Sequence, residues 1–369
     1  MIRFINTVLG AINESEVKAC LCHEHICCFS EYLFKMAGKA YLDMEKLASK
    51  SISELKRIKD TYGMNLFVDC TPINIGRNID LLKKISKESG VHIVCSTGFY
   101  YTDEPVLYNM SEEKLAECIV TDAKETNAGI IKAAVENETI SSFNEKLLKV
   151  TALAQQKLGL PVVLHTNANN KNGLAAVKIL LKNGVRPECI TVGHLSDTED
   201  IDYITEIANY GCFIGLDRLY NDTSEDYINK KLRVIQKLCE QGFKNRIILS
   251  HDEQCFNGFE VAPQIKKTTR FDYVFKYILP KLQEELADEI ICGTSETVRI
   301  GKSEFPREVV RSRLFKLNCE HIEYVVDCMK ENTTDVRNIR SYLLTALYNA
   351  PATIDNHYRA KVNHDLYGN

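Results

Sequence analysis

Residues 147–165, LLKVTALAQQKLGLPVVLH, contain the pattern that decides the fold of this chain. Apolar residues keep helical spacing as far as Leu158, Gly159 follows, and the apolar run 162–164 ends at His165. A glycine just past a helix suits a left-handed cap, and a short β-branched run indicates a buried strand. The same order of helix, glycine and strand recurs, with further strands predicted at residues 66–68, 92–95, 190–192, 213–215 and 247–249.

Two more predicted strands, at residues 18–24 and 129–132, bring the number to eight. Strands that alternate with helices pair in parallel, and strands apolar on both faces fit a sheet that is covered on both sides. The sequence therefore predicts an α/β fold, a (β/α)8 TIM barrel. A doubly wound open sheet is the alternative, but no strand is followed by a GxGxxG or Walker sequence. The barrel requires functional residues at the carboxyl ends of its strands.

Residue types that bind metals stand at five of these strand ends. His23 and His25 lie at the end of the first strand, where alternate residues share a face, so both can contact one ion. The other candidates are Lys132, His165, His194 and Asp252, after strands four, five, six and eight. Neutral imidazoles and a carboxylate suit zinc and similar divalent ions. For any single histidine, a buried ring bonded to backbone is the structural alternative.

Lys132 is the unexpected member of this set, because an ammonium group repels metal ions. Carbamylation by carbon dioxide would turn the amine into a carboxylate long enough to bridge two ions. A Schiff base with the substrate, as in barrel aldolases, is the alternative chemistry for a lysine at this place. The residue types alone leave both interpretations open.

With these residues the chain resembles the amidohydrolase superfamily, and the surrounding sequence resembles its phosphotriesterase-related branch, which includes phosphotriesterase-like lactonases. The resemblance covers about residues 7–283. It is carried by residues 7–10, 22–25, 68–71, 75–78, 96–100, 128–132, 194–197, 214–218 and 249–252.

The resemblance implies a binuclear metal centre. In it, His23, His25 and Asp252 would hold the more buried ion. His165 and His194 would hold the more exposed one, and N-carboxylated Lys132 and a hydroxide would bridge the two. Zinc is the expected metal, with manganese and cobalt as alternatives because they accept the same ligands. Asp252 would also be catalytic, taking the proton of the attacking hydroxide and returning it to the leaving alkoxide.

Two further positions bear on the substrate. Tyr100 follows strand three and Arg218 follows strand seven. In lactonases of the family, an aromatic residue and an arginine at matching places orient the lactone, whereas the organophosphate-degrading enzyme has a histidine where Arg218 stands. The resemblance therefore favours attack of the bridging hydroxide on a lactone, expected to be a sugar (aldono) lactone. As structural alternatives, Tyr100 caps the barrel and Arg218 pairs with Asp197 at its rim.

A basic stretch after strand eight contains Arg270 and Tyr273, one helical turn apart. Barrel phosphate sites often use the loops after strands seven and eight, so this pair is a candidate for binding a phosphate on the substrate. The alternative is an ordinary solvated run of charge.

Other functions are compatible with the same residues. Phosphotriester hydrolysis and acyl-homoserine lactone hydrolysis would use the same centre. A Schiff-base lyase would use Lys132 directly, and a zinc-binding or sensor protein would bind metal without turnover.

The composition of the chain restricts the kinds of binding partner that we expect. The chain has 46 basic and 50 acidic residues without a basic block, which predicts a small-molecule substrate and no nucleic-acid or membrane partner. Its 14 cysteines form no CxxC pair and are interpreted as reduced thiols of a cytoplasmic protein. We expect a homodimer. Residues 1–369 are expected to form one barrel domain, in which residues 284–333 are a helical insertion or extension relative to the family, serving as a lid or an oligomer contact.

Overall fold

A computed structural model describes residues 4–282 except 103, 220 and 221. Beyond these it describes residues 296–301, 303–314, 316–317, 320–321, 324–325, 328 and 342–354. The chain divides into two compact units, Met1–Leu279 and Pro280–Asn369. The expectation of a single domain over residues 1–369 stays a prediction.

The first unit alternates strands and helices along the chain. Its strands are β1 (Phe4–Thr7), β2 (Gly10–Asn13), β3 (Cys20–Cys28), β4 (Leu66–Asp69), β5 (His92–Gly98), β6 (Ile130–Ala134), β7 (Val162–His165), β8 (Ile190–Val192), β9 (Phe213–Leu216), β10 (Ile247–Leu249) and β11 (Gln254–Asn257). Its α-helices are α1 (Glu31–Ala37), α2 (Met44–Tyr62), α3 (Ile79–Ser89), α4 (Pro105–Asn109), α5 (Glu112–Thr126), α6 (Ser142–Leu158), α7 (Asn172–Lys182), α8 (Ile201–Asn209) and α9 (Glu225–Glu240). Short 3-10 turns lie at Glu14–Glu16, Gly38–Ala40, Ile73–Ile75, Pro187–Cys189, Leu195–Asp197 and Lys244–Arg246, and a π-helical turn lies at Val274–Ile278.

The central sheet has nine strands in the order β10-β9-β8-β7-β6-β5-β4-β3-β11, and each neighbouring pair is parallel. β10 matches the predicted eighth strand, and β11, which the sequence did not predict, continues that strand after residues 250–253. The first piece pairs with β9 and the second with β3, so this broken strand joins the two ends of the sheet. The predicted (β/α)8 barrel is confirmed. β1 and β2 form a separate antiparallel hairpin.

Helix α2 illustrates how the sequence produces these elements. The Asp43 side chain accepts a hydrogen bond from the Lys46 backbone N–H and begins the helix, and Gly63 ends it with a left-handed φ of 72°. Leu47 and Leu55, two turns apart, are fully buried against the barrel core. Each such side chain contributes about 1.5–3 kcal/mol by leaving water, so this apolar stripe fixes which face of the helix packs on the sheet.

The second unit contains an antiparallel pair, β12 (Thr297–Ile300) with β13 (Ser303–Pro306), followed by α10 (Arg307–Leu314). Residues 342–354 are helical. Ile300, Val310 and Tyr348 are buried together. Parts of the predicted insertion, among them residues 284–295 and 329–333, lie outside the described residues, and its role as lid or oligomer contact stays a prediction. Among the described helices, none has the length and apolar character needed to cross a lipid bilayer.

Candidate metal centre

Four histidine side chains converge at the carboxyl end of the barrel. His23 and His25 lie in β3, His165 is the last residue of β7, and His194 follows β8. All four are buried. The His194 Nε2 atom lies 2.7 Å from the His165 Nδ1 atom, and the ring centres of His23 and His194 are 5.2 Å apart. The structure therefore brings together the four predicted imidazoles.

Asp217, directly after β9, holds two of these rings. The Nδ1 atom of His23 lies 2.5 Å from Asp217 Oδ2, and that of His194 lies 3.0 Å from Oδ1. Burial would raise the pKa of Asp217, but His194 and His23 outweigh burial and hold the pKa below its ordinary value. Because an ionised carboxylate only accepts hydrogen bonds, both Nδ1 atoms carry a proton. The Nε2 atoms of both rings face the rest of the cluster, that of His23 towards Lys132 Nζ and that of His194 towards His165 Nδ1.

The other two rings are held in the same manner. The His25 Nδ1 atom lies 2.8 Å from the hydroxyl oxygen of Thr71, whose own proton goes to the Cys27 carbonyl oxygen. The His165 Nε2 atom lies 2.9 Å from Glu136 Oε2. Each ring therefore has one nitrogen engaged by an oxygen acceptor. Acceptors of this kind fix the tautomer and orientation of imidazoles that bind metals.

Lys132 and Asp252 complete the cluster. The Lys132 Nζ atom is buried and lies 2.6 Å from His23 Nε2. Asp252 Oδ1 lies 3.1 Å from His25 Nε2 and 3.7 Å from His23 Nε2. Asp252 and His194 have φ values of 54° and 63°. Left-handed backbone is strained for residues other than glycine and is concentrated at functional sites.

The charge states of the imidazoles suit metal binding unequally. Burial, assisted by the charge of Lys132, lowers the pKa of His23 to about 4. Burial and the neighbouring His194 lower the pKa of His165 to about 3. Burial also acts to lower the pKa of His25, but Cys28 and Asp252 outweigh it and raise the pKa to about 10. Since metals bind neutral imidazole, an ion at His25 has to displace a proton.

The donor set fits divalent cations. His23, His25 and Asp252 each offer a ligand atom, and these atoms all lie within 4.8 Å of one another. His23, His194 and Asp217 meet the same criterion, but the two imidazoles face Asp217 as N–H donors, so hydrogen bonding accounts for that group. The other nitrogens of His194 and His165 donate to Asp217 and Glu136, so His194 Nε2 and His165 Nδ1 both lack a proton. At 2.7 Å these two nitrogens repel each other unless a cation lies near both.

The surroundings of Lys132 are also consistent with a metal site. Among the described residues, no carboxylate forms an ion pair with this buried amine, and an unpaired buried ammonium is costly. Carboxylation of the amine would remove the positive charge and supply oxygen ligands beside His23. The chemistry of the surroundings therefore fits the predicted modification.

A cavity of about 830 Å³ opens over the cluster, and Tyr100 and Arg218 lie in its wall. The Arg218 Nε atom donates to Asp252 Oδ2 at 2.8 Å, and Nη1 donates to Asp197 Oδ2 at 2.8 Å. Arg218 therefore makes the ion pair with Asp197 that we gave as the structural alternative, and it contacts the candidate ligand Asp252 as well. The Tyr100 hydroxyl lies 3.4 Å from each ring nitrogen of His165. Burial raises the pKa of Tyr100, so the phenol keeps its proton.

Arg270 and Tyr273 lie elsewhere. Tyr273 is buried, and its hydroxyl donates to the Asp222 carbonyl oxygen. The Arg270 backbone N–H donates to Glu253 at 3.3 Å. Neither residue belongs to the cavity wall. Their role in binding phosphate stays a prediction.

Sequence reasoning assigned no role to Thr71, Glu136 or Asp217. An oxygen that accepts a proton from the back of an imidazole needs no particular spacing along the chain, so no motif marks it. The available signal is position, since each of the three comes within two residues of the end of a strand. That signal is shared by many residues without a role at the site.

Comparison with known proteins places the chain among hydrolases. Residues 3–292 match the Phosphotriesterase family, and residues 267–369 match DUF6017, a family of unknown function. An aryldialkylphosphatase of Saccharolobus solfataricus is 31% identical over 77% of this chain and 94% of its own length. A phosphotriesterase homology protein of Mycobacterium tuberculosis is 25% identical over 76% of this chain and 91% of its own. The N-acetyltaurine hydrolase of Homo sapiens is 26% identical, over 67% and 83% respectively.

Proposed function

Because this chain belongs to the phosphotriesterase family and is a hydrolase of that family, we propose that it opens the ring of a lactone. A sugar lactone, with or without a phosphate group, is the proposed substrate. The observation that carries the proposal is the contact of Arg218 with Asp252 in the cavity wall. This contact places a planar cation beside the carboxylate that is proposed to handle the proton.

The metal ligands proposed here are the six residues named from the sequence. His23, His25 and Asp252 would hold one ion, and His165 and His194 the other. Carboxylated Lys132 would bridge them. Two divalent ions, zinc in our proposal, would acidify a water molecule enough to supply hydroxide near neutral pH and would polarise the ester carbonyl.

Asp252 is ionised, which is the state in which a carboxylate can accept a proton. Burial would raise its pKa, but His194, His25 and Arg218 outweigh burial and hold the pKa well below its ordinary value. Its Oδ1 atom faces the imidazoles, while Oδ2 accepts from Arg218. In the proposed reaction the carboxylate takes a proton from the attacking water and returns it to the leaving alkoxide. Arg218 fixes the direction in which the carboxylate points.

The cavity wall supports an anionic substituent on the substrate. Besides Arg218, it includes Lys231, whose ammonium group donates to the Ser196 carbonyl oxygen at 2.5 Å and lies 5.1 Å from the centre of the Tyr227 ring. Because Arg218 is already paired with Asp252 and Asp197, Lys231 is the wall residue that favours a substrate with a phosphate or carboxylate. Tyr100, with its protonated hydroxyl, would orient the ring. Arg270 and Tyr273 are retained as an alternative phosphate site outside the described cavity wall.

The test is a substrate panel on metal-reconstituted protein. Aldonolactones with and without a phosphate, an acyl-homoserine lactone, a paraoxon-like phosphotriester and N-acetyltaurine would be compared by kcat/KM. We expect the sugar lactones to give the highest values. A dominant rate on the phosphotriester or the acyl taurine would replace the lactonase proposal by the activity named for the corresponding relative.

Controls separate the remaining rivals. Asp252→Asn should abolish turnover of every substrate, which excludes a contaminating hydrolase. Covalent trapping of Lys132 by borohydride plus substrate would instead support a Schiff-base lyase. Bound metal without turnover on any substrate would support a zinc-binding protein. If the phosphate makes no difference to kcat/KM, the phosphate site at Arg270 and Tyr273 is rejected.

We also propose a cytoplasmic homodimer. Light scattering coupled to size-exclusion chromatography tests the dimer, and fractionation of the source cells tests the location. A monomeric mass or a secreted protein would contradict the respective proposal.

A further inference from the structure

A second carboxylate–imidazole pair lies directly behind the metal centre. Glu24 stands between His23 and His25 in β3 and is fully buried. His251, which precedes Asp252, is also fully buried, and its Nδ1 atom lies 2.6 Å from Glu24 Oε1. Neither residue belongs to the cavity wall. The pair therefore cannot contact a substrate, and any effect on the centre has to pass through its neighbours.

Glu24 binds the backbone on both sides of Asp252. Its Oε1 atom accepts from the His251 N–H at 3.0 Å, and its Oε2 atom accepts from the Glu253 N–H at 2.9 Å. Asp252 lies between these two amides with its left-handed φ of 54°. One carboxylate thus spans the strained residue and holds both of its peptide neighbours.

The same carboxylate is connected to the strand that carries the histidines. The Ser250 hydroxyl donates to Glu24 Oε1 at 2.8 Å and accepts from the His23 backbone N–H at 3.0 Å. The Asp252 N–H donates to the His23 carbonyl oxygen at 2.9 Å. Glu24 therefore links the backbone of His23 to the turn of Asp252, two candidate ligands of one ion that are far apart in the sequence.

The partners of Glu24 differ from those of another buried carboxylate. Glu54 pairs with Lys50 and Arg57, whereas no lysine or arginine of the described chain forms an ion pair with Glu24. Burying a carboxylate without a cationic partner costs stability. The hydrogen bonds that offset this cost come from donors in residues 250–253, so the Glu24 carboxylate holds that one turn in place.

We propose that Glu24 is a positioning residue of the metal centre. It keeps Asp252 in its left-handed turn, so that the Asp252 carboxylate reaches the ion shared with His23 and His25. This inference rests on the metal centre of the proposed function but not on the identity of its substrate.

The test is Glu24→Gln. The amide nitrogen of glutamine cannot accept a hydrogen bond, so it opposes one of the amide protons beside Asp252 and releases one side of the turn. We expect one of the two ions to bind about 10–100-fold more weakly, the usual effect of removing a group that supports a ligand. Competition with a chromophoric chelator measures the affinity. The visible spectrum of the cobalt-loaded protein reports the geometry around Asp252.

Glu54→Gln is the matched control, because it also removes a buried carboxylate but its partners lie away from the histidines. It should lower the melting temperature and leave both metal affinities and the cobalt spectrum unchanged. If Glu24→Gln fails to fold, Ser250→Ala removes a single donor to Glu24 and should weaken metal binding in the same direction by a smaller factor.

Two outcomes would overturn the inference. One is a folded Glu24→Gln or Ser250→Ala variant with unchanged affinities and cobalt spectrum. The other is an equal loss of metal in Glu54→Gln, which would mean that general destabilisation is the cause. Neither outcome depends on the substrate panel, so lactonase activity can fail while the positioning role stands, and the reverse also holds.

Discussion

Asp217→Asn is the sharpest test of how the histidines are oriented. Asp217 Oδ1 accepts both the backbone N–H and the ring Nδ1–H of His194, at 2.7 and 3.0 Å, while Oδ2 accepts the Nδ1–H of His23. Asparagine keeps one acceptor oxygen. We expect that oxygen to stay with His194, where it satisfies two donors, so the amide N–H then faces the His23 ring.

An N–H donor at this place reverses the His23 tautomer. The ring proton moves to Nε2, the nitrogen that now faces Lys132 at 2.6 Å, and that nitrogen can no longer bind a metal. Loss of one supporting partner weakens metal binding about 10–100-fold, which corresponds to roughly 1.4–2.8 kcal/mol at 1.4 kcal/mol for each factor of ten. If His194 is disturbed as well, the loss becomes larger.

The assay is zinc titration of the metal-free protein in competition with a chelator, followed by metal analysis after gel filtration. We expect one tightly bound ion and a second that is weakened or lost. Asp122→Asn is the control, because it breaks the ion pair with Arg77 and should reduce stability without changing metal binding. Two ions bound to Asp217→Asn with unchanged affinity would refute the tautomer argument.

Four further predictions follow from particular contacts. Arg218→Lys keeps the positive charge, but a lysine cannot bridge Asp252 and Asp197. We expect kcat/KM to fall about 10–150-fold, which is the equivalent of one charged hydrogen bond at 1.5–3 kcal/mol. An unchanged kcat/KM would remove Arg218 from the mechanism. Gly98→Ala should lower metal occupancy, because Gly98 has a φ of 97° and an added Cβ would overlap the Lys132 carbonyl oxygen. Elemental analysis of the purified variant measures that occupancy. Removal of the metal by a chelator should abolish hydrolysis. If Lys132 is carboxylated, activity should return faster when metal is added back together with bicarbonate. Equal rates of reactivation in carbon dioxide-depleted buffer would count against the modification. Leu55→Ala, at a fully buried position of α2, should lower the free energy of unfolding by about 2–5 kcal/mol in urea denaturation, and a negligible change would mean that α2 does not pack as described.

The sequence by itself determined the barrel and the composition of its carboxyl end. Periodic apolar segments separated by glycines identify helices and strands, and parallel strands place their last residues at one edge. His165 and His194 could therefore be assigned to one edge from the sequence, although 28 other residues lie between them in the chain. Periodicity and strand direction are properties of the chain itself, which is why they can be read without a structure.

Only the tertiary structure decided how these side chains are held. The contact of Asp217 with His23 joins β9 to β3, and the contact of Glu24 with His251 joins β3 to the break in the eighth strand. A hydrogen-bond acceptor needs only to be near its donor in space, so it leaves no period or spacing in the sequence. For the same reason the sequence could place Tyr273 beyond strand eight but could not show that its hydroxyl is occupied by a backbone carbonyl.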